Sequence, residues 1–232
     1  MKEAVRLDNS LRSDLINTMW MAHDDGIDQE MISLIQLMVS ESNPIGYGWM
    51  GRAYRDGRAV KADLSEASKW MFKCADANIH WAKWEYFEIL WKMNTPESLK
   101  AMIEYAQSES DKGNMELRAR LARAYRDGKG VDKDLTKAAE LMRSVLPGYP
   151  LWARWEFLDI LRSINTSEAD REAFEYGTRN LEGGDREIEA RVARMYRDGR
   201  GTAKDIDKAV VLMKAASDKG LGWAKNELFD ML

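Results

Sequence analysis

The side chains with the greatest chemical reach in this chain recur at a fixed interval. Arg52 and Arg55, Arg123 and Arg126, and Arg194 and Arg197 are three pairs 71 residues apart. Trp81 and Trp84, Trp152 and Trp155, and then Trp223 keep the same offset, and Glu88, Asp159 and Asp230 follow them. A guanidinium lies flat on an indole face and presents a planar fork of N–H donors to a carboxylate. Such residues can stack and grip. No serine, cysteine or histidine stands among them, and the chemistry they offer is read as recognition rather than bond making.

Other candidates for catalysis fare poorly. His23 and His80 fall at non-equivalent positions of the interval, with no serine or cysteine motif beside either. Each reads as an ordinary surface or helix-end residue. Cys74, the one cysteine, falls where Val145 and Ala216 fall, which makes it a small core residue. No G-x-S-x-G, H-E-x-x-H or Walker loop is present. The loop Asp127–Asp134 has the look of a calcium loop, but Lys129 and Lys133 would sit at ligand positions and repel the ion. Asp134 reads as a helix cap instead. No catalytic residue, cofactor or metal is expected, and the chain is expected not to be an enzyme.

Composition narrows the partners. The 232 residues are 32% charged and 45% hydrophobic, with 35 basic side chains against 39 acidic, a net charge of −4 and a pI near 5.5. Arg118, Arg120, Arg123 and Arg126 crowd one segment, but Glu116 and Asp127 share it, so nucleic acid is not expected as a partner. The longest apolar stretch, Met31–Val39, is broken by Ser33 and Gln36 and is far short of the ~20 residues of a membrane span. The opening MKEAVRLDNS carries charges where a signal peptide has an apolar run. The expectation is a cytoplasmic protein with a reduced thiol and no membrane contact.

The elements that must position these residues follow from the repeat itself. AYRDG occurs at Ala53–Gly57 and Ala124–Gly128, and MYRDG at Met195–Gly199. WAKWEYFEIL, WARWEFLDIL and WAKNELFDML begin at Trp81, Trp152 and Trp223. Ala53–Glu97 and Ala124–Glu168 share 19 identities in 45 positions without a gap. The chain divides into units of about 10–80, 81–151 and 152–222, with a partial fourth at 223–232. Leu117, Leu121, Ala122 and Tyr125 form a helical stripe that Gly128 stops as a left-handed cap, as Gly57 and Gly199 do elsewhere. Asp63, Asp134 and Asp205 begin the next helix of each unit as caps. Helices near Trp152 and after Thr166 complete a four-helix unit, and Gly113 and Gly184 are expected to end those fourth helices. Gly51, Ala122 and Ala193 are small enough to let paired helices approach. The prediction is about 13 helices and no strand. They form one continuous α-solenoid of antiparallel hairpins, because a single hairpin cannot bury its own apolar face.

The run Leu121-Ala122-x-x-Tyr125-x-x-Gly128-x-Gly130-Val131-x-x-Asp134-x-x-x-Ala138 resembles the Sel-one-like repeat family, relatives of the tetratricopeptide repeats. Met50, Gly51, Tyr54, Gly57, Val60, Asp63, Ala67 and Trp70 fit the same pattern, as do Val192, Ala193, Tyr196, Gly199, Gly201, Asp205 and Ala209. Ala59 replaces a loop glycine, Thr202 a valine, and Leu141 and Leu212 a tryptophan. The alternate half-units look like degenerate members, with Phe87, Leu158 and Phe229 where the family has a small residue. The resemblance implies a right-handed superhelix that serves as an adaptor or scaffold of bacterial type.

The resemblance also implies that the first helix of each pair lines the concave face. Arg52, Arg55 and Asp56, and their counterparts in the other units, would then face inward. So would Trp81, Trp84, Glu88 and Trp91; Trp152, Trp155, Asp159 and Arg162; and Trp223, Asn226 and Asp230. Such rows have two readings. They form a ladder in which each guanidinium stacks on the next indole and pairs with the next carboxylate, or a groove that grips a ligand. Identity across units favours the ladder, since a repeated contact needs the same residues each time. The expected partner is a protein or peptide, bound on a face made of Arg52, Arg55, Trp81, Trp84, Glu88, Arg123, Arg126, Trp152, Trp155, Asp159, Arg194, Arg197 and Trp223. Carbohydrate is the alternative ligand, for an accessory module of a larger cell-surface polysaccharide or glycosyl-transfer protein. Another alternative is an oligomerisation spacer that self-associates through the uncapped C-terminal helix, Trp223–Leu232. Truncation from a longer protein is also expected from that uncapped end.

Overall fold

The computed structural model describes residues 9–22, 24–147 and 152–231. His23 and Leu232 lie outside them. The described residues form thirteen α-helices and no strand. They are α1 (Asn9–Ala22), α2 (Asp25–Ser40), α3 (Pro44–Asp56), α4 (Leu64–Asp76), α5 (His80–Met93), α6 (Pro96–Asp111) and α7 (Met115–Asp127). There follow α8 (Leu135–Val145), α9 (Trp152–Ile164), α10 (Ser167–Arg179), α11 (Arg186–Asp198), α12 (Ile206–Asp218) and α13 (Gly222–Met231). The chain falls into two compact units, 1–108 and 109–232, with the division inside α6.

Each unit is a stack of helix hairpins. In the first, α3 packs on α2 and α4, and α4 on α5. In the second, α7 to α13 pack each on the next, apart from a 3₁₀ turn (Leu181–Gly183) after α10, and α9 also reaches α11. The helices begin where side-chain caps were expected. Asp63 accepts from the Ser65 and Glu66 amides at 2.8 and 3.1 Å, Asp134 from Lys137 at 2.8 Å and Asp205 from Lys208 at 3.0 Å. Substituting such a cap by alanine typically costs about 1 kcal/mol. Thr166 caps α10, and Thr95 caps α6 while Ser98 reaches back to the Thr95 amide, a reciprocal pair.

The glycine stops behave unevenly. Gly57, Gly128 and Gly199 cap α3, α7 and α11 in the left-handed region, at φ between 67° and 71°. Gly184 does not end α10 as expected. That helix stops at Arg179, the 3₁₀ turn follows, and Gly184 caps the turn. Ala59, the loop alanine, adopts φ 56° where Gly130 and Gly201 adopt 77° and 70°, so an L-residue carries a glycine conformation there.

The predicted stripe of α7 lies in the core, with Leu117, Leu121 and Ala122 fully buried and Tyr125 half-buried. Ile16, Met31, Ile35, Met38 and Ala53 are fully buried in the first unit, as are Met71 and Cys74 behind them. In the second unit Leu117, Leu121, Met142, Phe157 and Ile160 are buried to within about 1%. Gly51 lies against α4, where an added Cβ would come within 3.1–3.2 Å of Met71 and the Ala67 carbonyl. Ala122 and Ala193 are fully buried at the same repeat position.

Candidate protein-interaction face

The expected ladder has three rungs, each formed by the first helices of neighbouring hairpins. In the first, α3 supplies Arg52 and Arg55, and α5 supplies Trp81 and Glu85. The Arg52 guanidinium carbon lies 4.3 Å from the Trp81 ring centre and 4.7 Å from that of Trp49, sandwiched between two indoles. Its Nε donates to both Glu85 oxygens at 3.1 Å and its Nη2 to Oε1, while Arg55 Nη1 donates to Glu85 Oε2 at 3.0 Å. Glu85 is only 3% exposed. Gly48 makes room for this packing, since a Cβ there would sit 2.2 Å from the Trp81 ring.

The third rung repeats the geometry on α11 and α13. Arg194 lies 4.0 Å from the Trp223 ring centre, and its Nε donates to Glu227 at 3.0 and 2.9 Å. Arg197 Nη1 adds a bond at 3.1 Å. Hydrogen bonding from Arg194 lowers the Glu227 pKa below its ordinary value. The middle rung, on α7 and α9, is looser. Arg123 lies 5.5 Å from Trp152, and Glu156 approaches Arg123 Nε at 3.2 Å and Arg126 Nη1 at 3.0 Å. Arg123 Nε and Glu156 Oε2 are buried without an aligned hydrogen-bond partner. Burial consequently outweighs both arginines and raises the Glu156 pKa.

The second arginine of each rung is held from its own side as well. Arg55 pairs with Asp56 through Nε and Nη2, both at 2.7 Å, and Arg126–Asp127 and Arg197–Asp198 repeat the fork. These hydrogen bonds raise the pKa of all three arginines.

The rung carboxylate is not the one expected. Glu88 lies one turn further along α5 than Glu85. Its counterpart Asp159 pairs with Arg191, at 2.7 and 3.0 Å, rather than with Arg123 or Arg126. An arginine stacked on Trp81 meets the residue four positions on, the next one along the same helix face. Invariance was the available signal, because Glu85, Glu156 and Glu227 are identical in all three units. Trp155 does not join the ladder through an arginine. Its indole N–H donates at 2.9 Å to Asp185, whose other oxygen caps α11. Trp84 is half-buried on α5.

The remaining candidates are structural. Cys74 is fully buried, and burial pushes its thiol pKa up to about 12. His80 is the exposed first residue of α5. Asp127 is held by Arg126 and Asp134 by its capping bond, and among the described residues no cluster of His, Cys, Asp and Glu is arranged to hold a metal. Arg118 is tied to Ser110 at 3.0 and 2.6 Å, and Arg120 to Glu116 at 2.9 Å. Among the described residues, no helix is long and apolar enough to cross a membrane.

A family model for the Sel1 repeat matches residues 45–79, 118–144 and 189–221. The chain carries three Sel1 repeats. Each match begins on one of the arginine-bearing helices α3, α7 and α11 and runs into the helix that follows it. A search of curated proteins finds no match. Among solved structures, the chain is similar to a protective antigen present in uropathogenic Escherichia coli strains, described as displaying an SLR fold. The TM-score is 0.65 at 21% identity, over 86% of this chain and 43% of that one. It is also similar to a Sel1 repeat protein from Oxalobacter formigenes, with TM-score 0.65 and 24% identity, over 93% of this chain and 88% of that one. This chain therefore spans less than half the length of the first of these. Sel1-repeat proteins generally act as non-enzymatic protein-interaction scaffolds.

Proposed function

We propose that this chain is a non-enzymatic scaffold that binds a protein or peptide on the face carrying the Arg–Trp–Glu rungs, and that the 71-residue register runs as one continuous repeat array. One observation carries the reading. The six rung arginines keep 23–35% of their side-chain surface open while each is paired with a carboxylate of its rung. A stacked, pre-positioned guanidinium and indole edge loses little entropy when a partner lands on it. The test is site-specific photo-crosslinking in cells. A crosslinker at Arg126, on the rung face, is expected to capture a discrete partner band, and one at Lys214 on α12 is not. Equal capture from both positions would refute the reading.

A second reading, self-association through α13, has its own observation. Phe229 is 82% exposed, whereas Phe87 and Leu158 at the same repeat position are 2% and 1% exposed. Light scattering at two concentrations tests it: a concentration-independent monomer removes it.

A further inference from the structure

Two of the three helices that carry the Trp81 motif are covered by the helix that follows them, and the cover repeats. On α5, Tyr86 meets Tyr105 of α6 edge to face, with ring centres 4.9 Å apart, and the neighbouring Phe87 is buried. On α9, Phe157 meets Tyr176 of α10 edge to face at 5.4 Å, and the neighbouring Leu158 is buried. A Cβ added to Gly177 would stand 4.0 Å from Leu158 Cδ1. The covering helices keep one pattern. Each has a tyrosine followed by a small residue, Tyr105–Ala106 and Tyr176–Gly177. Ser98, Met102 and Ala106 form a buried stripe on α6, and Ala169, Ala173 and Gly177 form one on α10.

Leu228 and Phe229 of α13 stand at these same positions, 71 residues on from Phe157 and Leu158. Among the described residues no helix follows α13, and Phe229 is exposed. Ala224 is buried in the cluster that α13 shares with α11 and α12, so the helix is held while its outer face is open.

We propose that this open face of α13 docks an amphipathic helix of a partner protein that carries a tyrosine followed by alanine or glycine. The incoming helix seats on α13 as α6 seats on α5 and α10 on α9. The face continues an interface that the chain itself builds twice, and Phe229 restores the residue of Phe87. Charge agrees. Burial raises the Tyr176 pKa against the opposing charge of Arg154, which places a cation near that ring, and Lys225 holds the Arg154 position on α13. A second copy of this chain is the poorer occupant. Its α6 and α10 are already seated, and its α13 would bring another Phe229 where the pattern has a small residue. The rung-face reading plays no part in this inference.

The test uses the whole chain and a fluorescein-labelled peptide of residues 95–111, the sequence of α6 with its cap, followed by anisotropy. A peptide of residues 134–146, which carries α8 and lacks the tyrosine, is the comparison and is expected not to bind. F229D is expected to weaken binding of the α6 peptide at least about tenfold, and Tyr105→Asp in the peptide should do the same. V211D, at an exposed apolar residue of α12, should leave binding unchanged. Both chain variants lie on the surface, so melting temperatures should stay within about 2 °C of wild type. An isolated helix of this length is marginal in water. The sequence of residues 91–111 is therefore also appended behind residue 232, where tethering supplies an effective concentration on the order of millimolar. The appended segment is expected to gain helix by circular dichroism, and F229D to abolish the gain. No gain, or a gain that survives F229D, overturns the proposal, as does peptide binding that F229D leaves intact. A dimer of the unmodified chain that F229D splits would give the face to a second copy and overturn it too. Loss of face-specific crosslinking at Arg126 would refute the rung-face reading alone.

Discussion

Replacing Glu85 by glutamine should be the most damaging single change on the rung face. Glu85 is 3% exposed and accepts from Arg52 Nε, Arg52 Nη2 and Arg55 Nη1. Glutamine keeps the shape, loses the charge, and turns an N–H₂ toward two guanidinium groups. Breaking a fully buried pair costs about 3–5 kcal/mol. Arg52 and Arg55 retain 23% and 27% of their surface and can partly rehydrate, so the expected loss is about 2–3 kcal/mol. Glu227 makes nearly the same bonds at 24% exposure, and E227Q should cost about 1 kcal/mol. Urea denaturation at pH 7 reads both. At this chain length the E85Q loss corresponds to a fall in Tm of roughly 4–12 °C. If E227Q costs as much as E85Q, burial of the acceptor does not set the strength of a rung and the reasoning is wrong.

Four further outcomes are expected. The two lesser rungs should respond to pH with opposite signs. The Glu227 pKa is lowered on folding, so its stabilisation is present above the unfolded value near 4.3 and lost as pH falls through the folded one. The Glu156 pKa is raised, so its contribution is present below the unfolded value and lost as pH rises through the folded one. In urea titrations at pH 4 and 7, the cost of E227Q should therefore grow with pH and that of E156Q shrink. Gly201→Ala should cost more than about 2 kcal/mol, because its Cβ would fall 2.1 Å from the Asp170 carbonyl oxygen at φ 70°. Ala59→Gly relieves a φ of 56° and should be neutral or stabilising by up to about 1 kcal/mol. Both are read by thermal melts. Cys74 should resist iodoacetamide at pH 8 until the chain unfolds, and stoichiometric labelling of the folded protein would contradict its burial.

Much of this was legible in the sequence because the repeat supplies its own alignment. The 71-residue offset, the Asp63, Asp134 and Asp205 caps and the Gly57, Gly128 and Gly199 stops are local signals, and each appears where expected. The stacking of Arg52, Arg123 and Arg194 on Trp81, Trp152 and Trp223 was legible too, since both partners repeat. The rung carboxylate was not. Glu85 and Glu88 are both acidic and lie within one turn, and only the rotation of α5 about its axis decides which meets α3. The role of Trp155 was hidden for a similar reason. Its partner Asp185 is 30 residues away, and Asn226 replaces Trp155 in the last register.

The rungs are asymmetric, and this bears on how such a chain can change length. Every rung takes its donors from one hairpin and its acceptor from the next, and the donors arrive already braced by the adjacent Asp56, Asp127 or Asp198. A 71-residue segment thus carries a plug at one edge and the matching socket at the other. Duplicating or deleting one such segment leaves every plug opposite a socket, whereas gain or loss of a single hairpin strands an arginine fork against a neighbour that cannot receive it. Gain or loss of whole helix pairs should therefore come in steps of the 71-residue repeat.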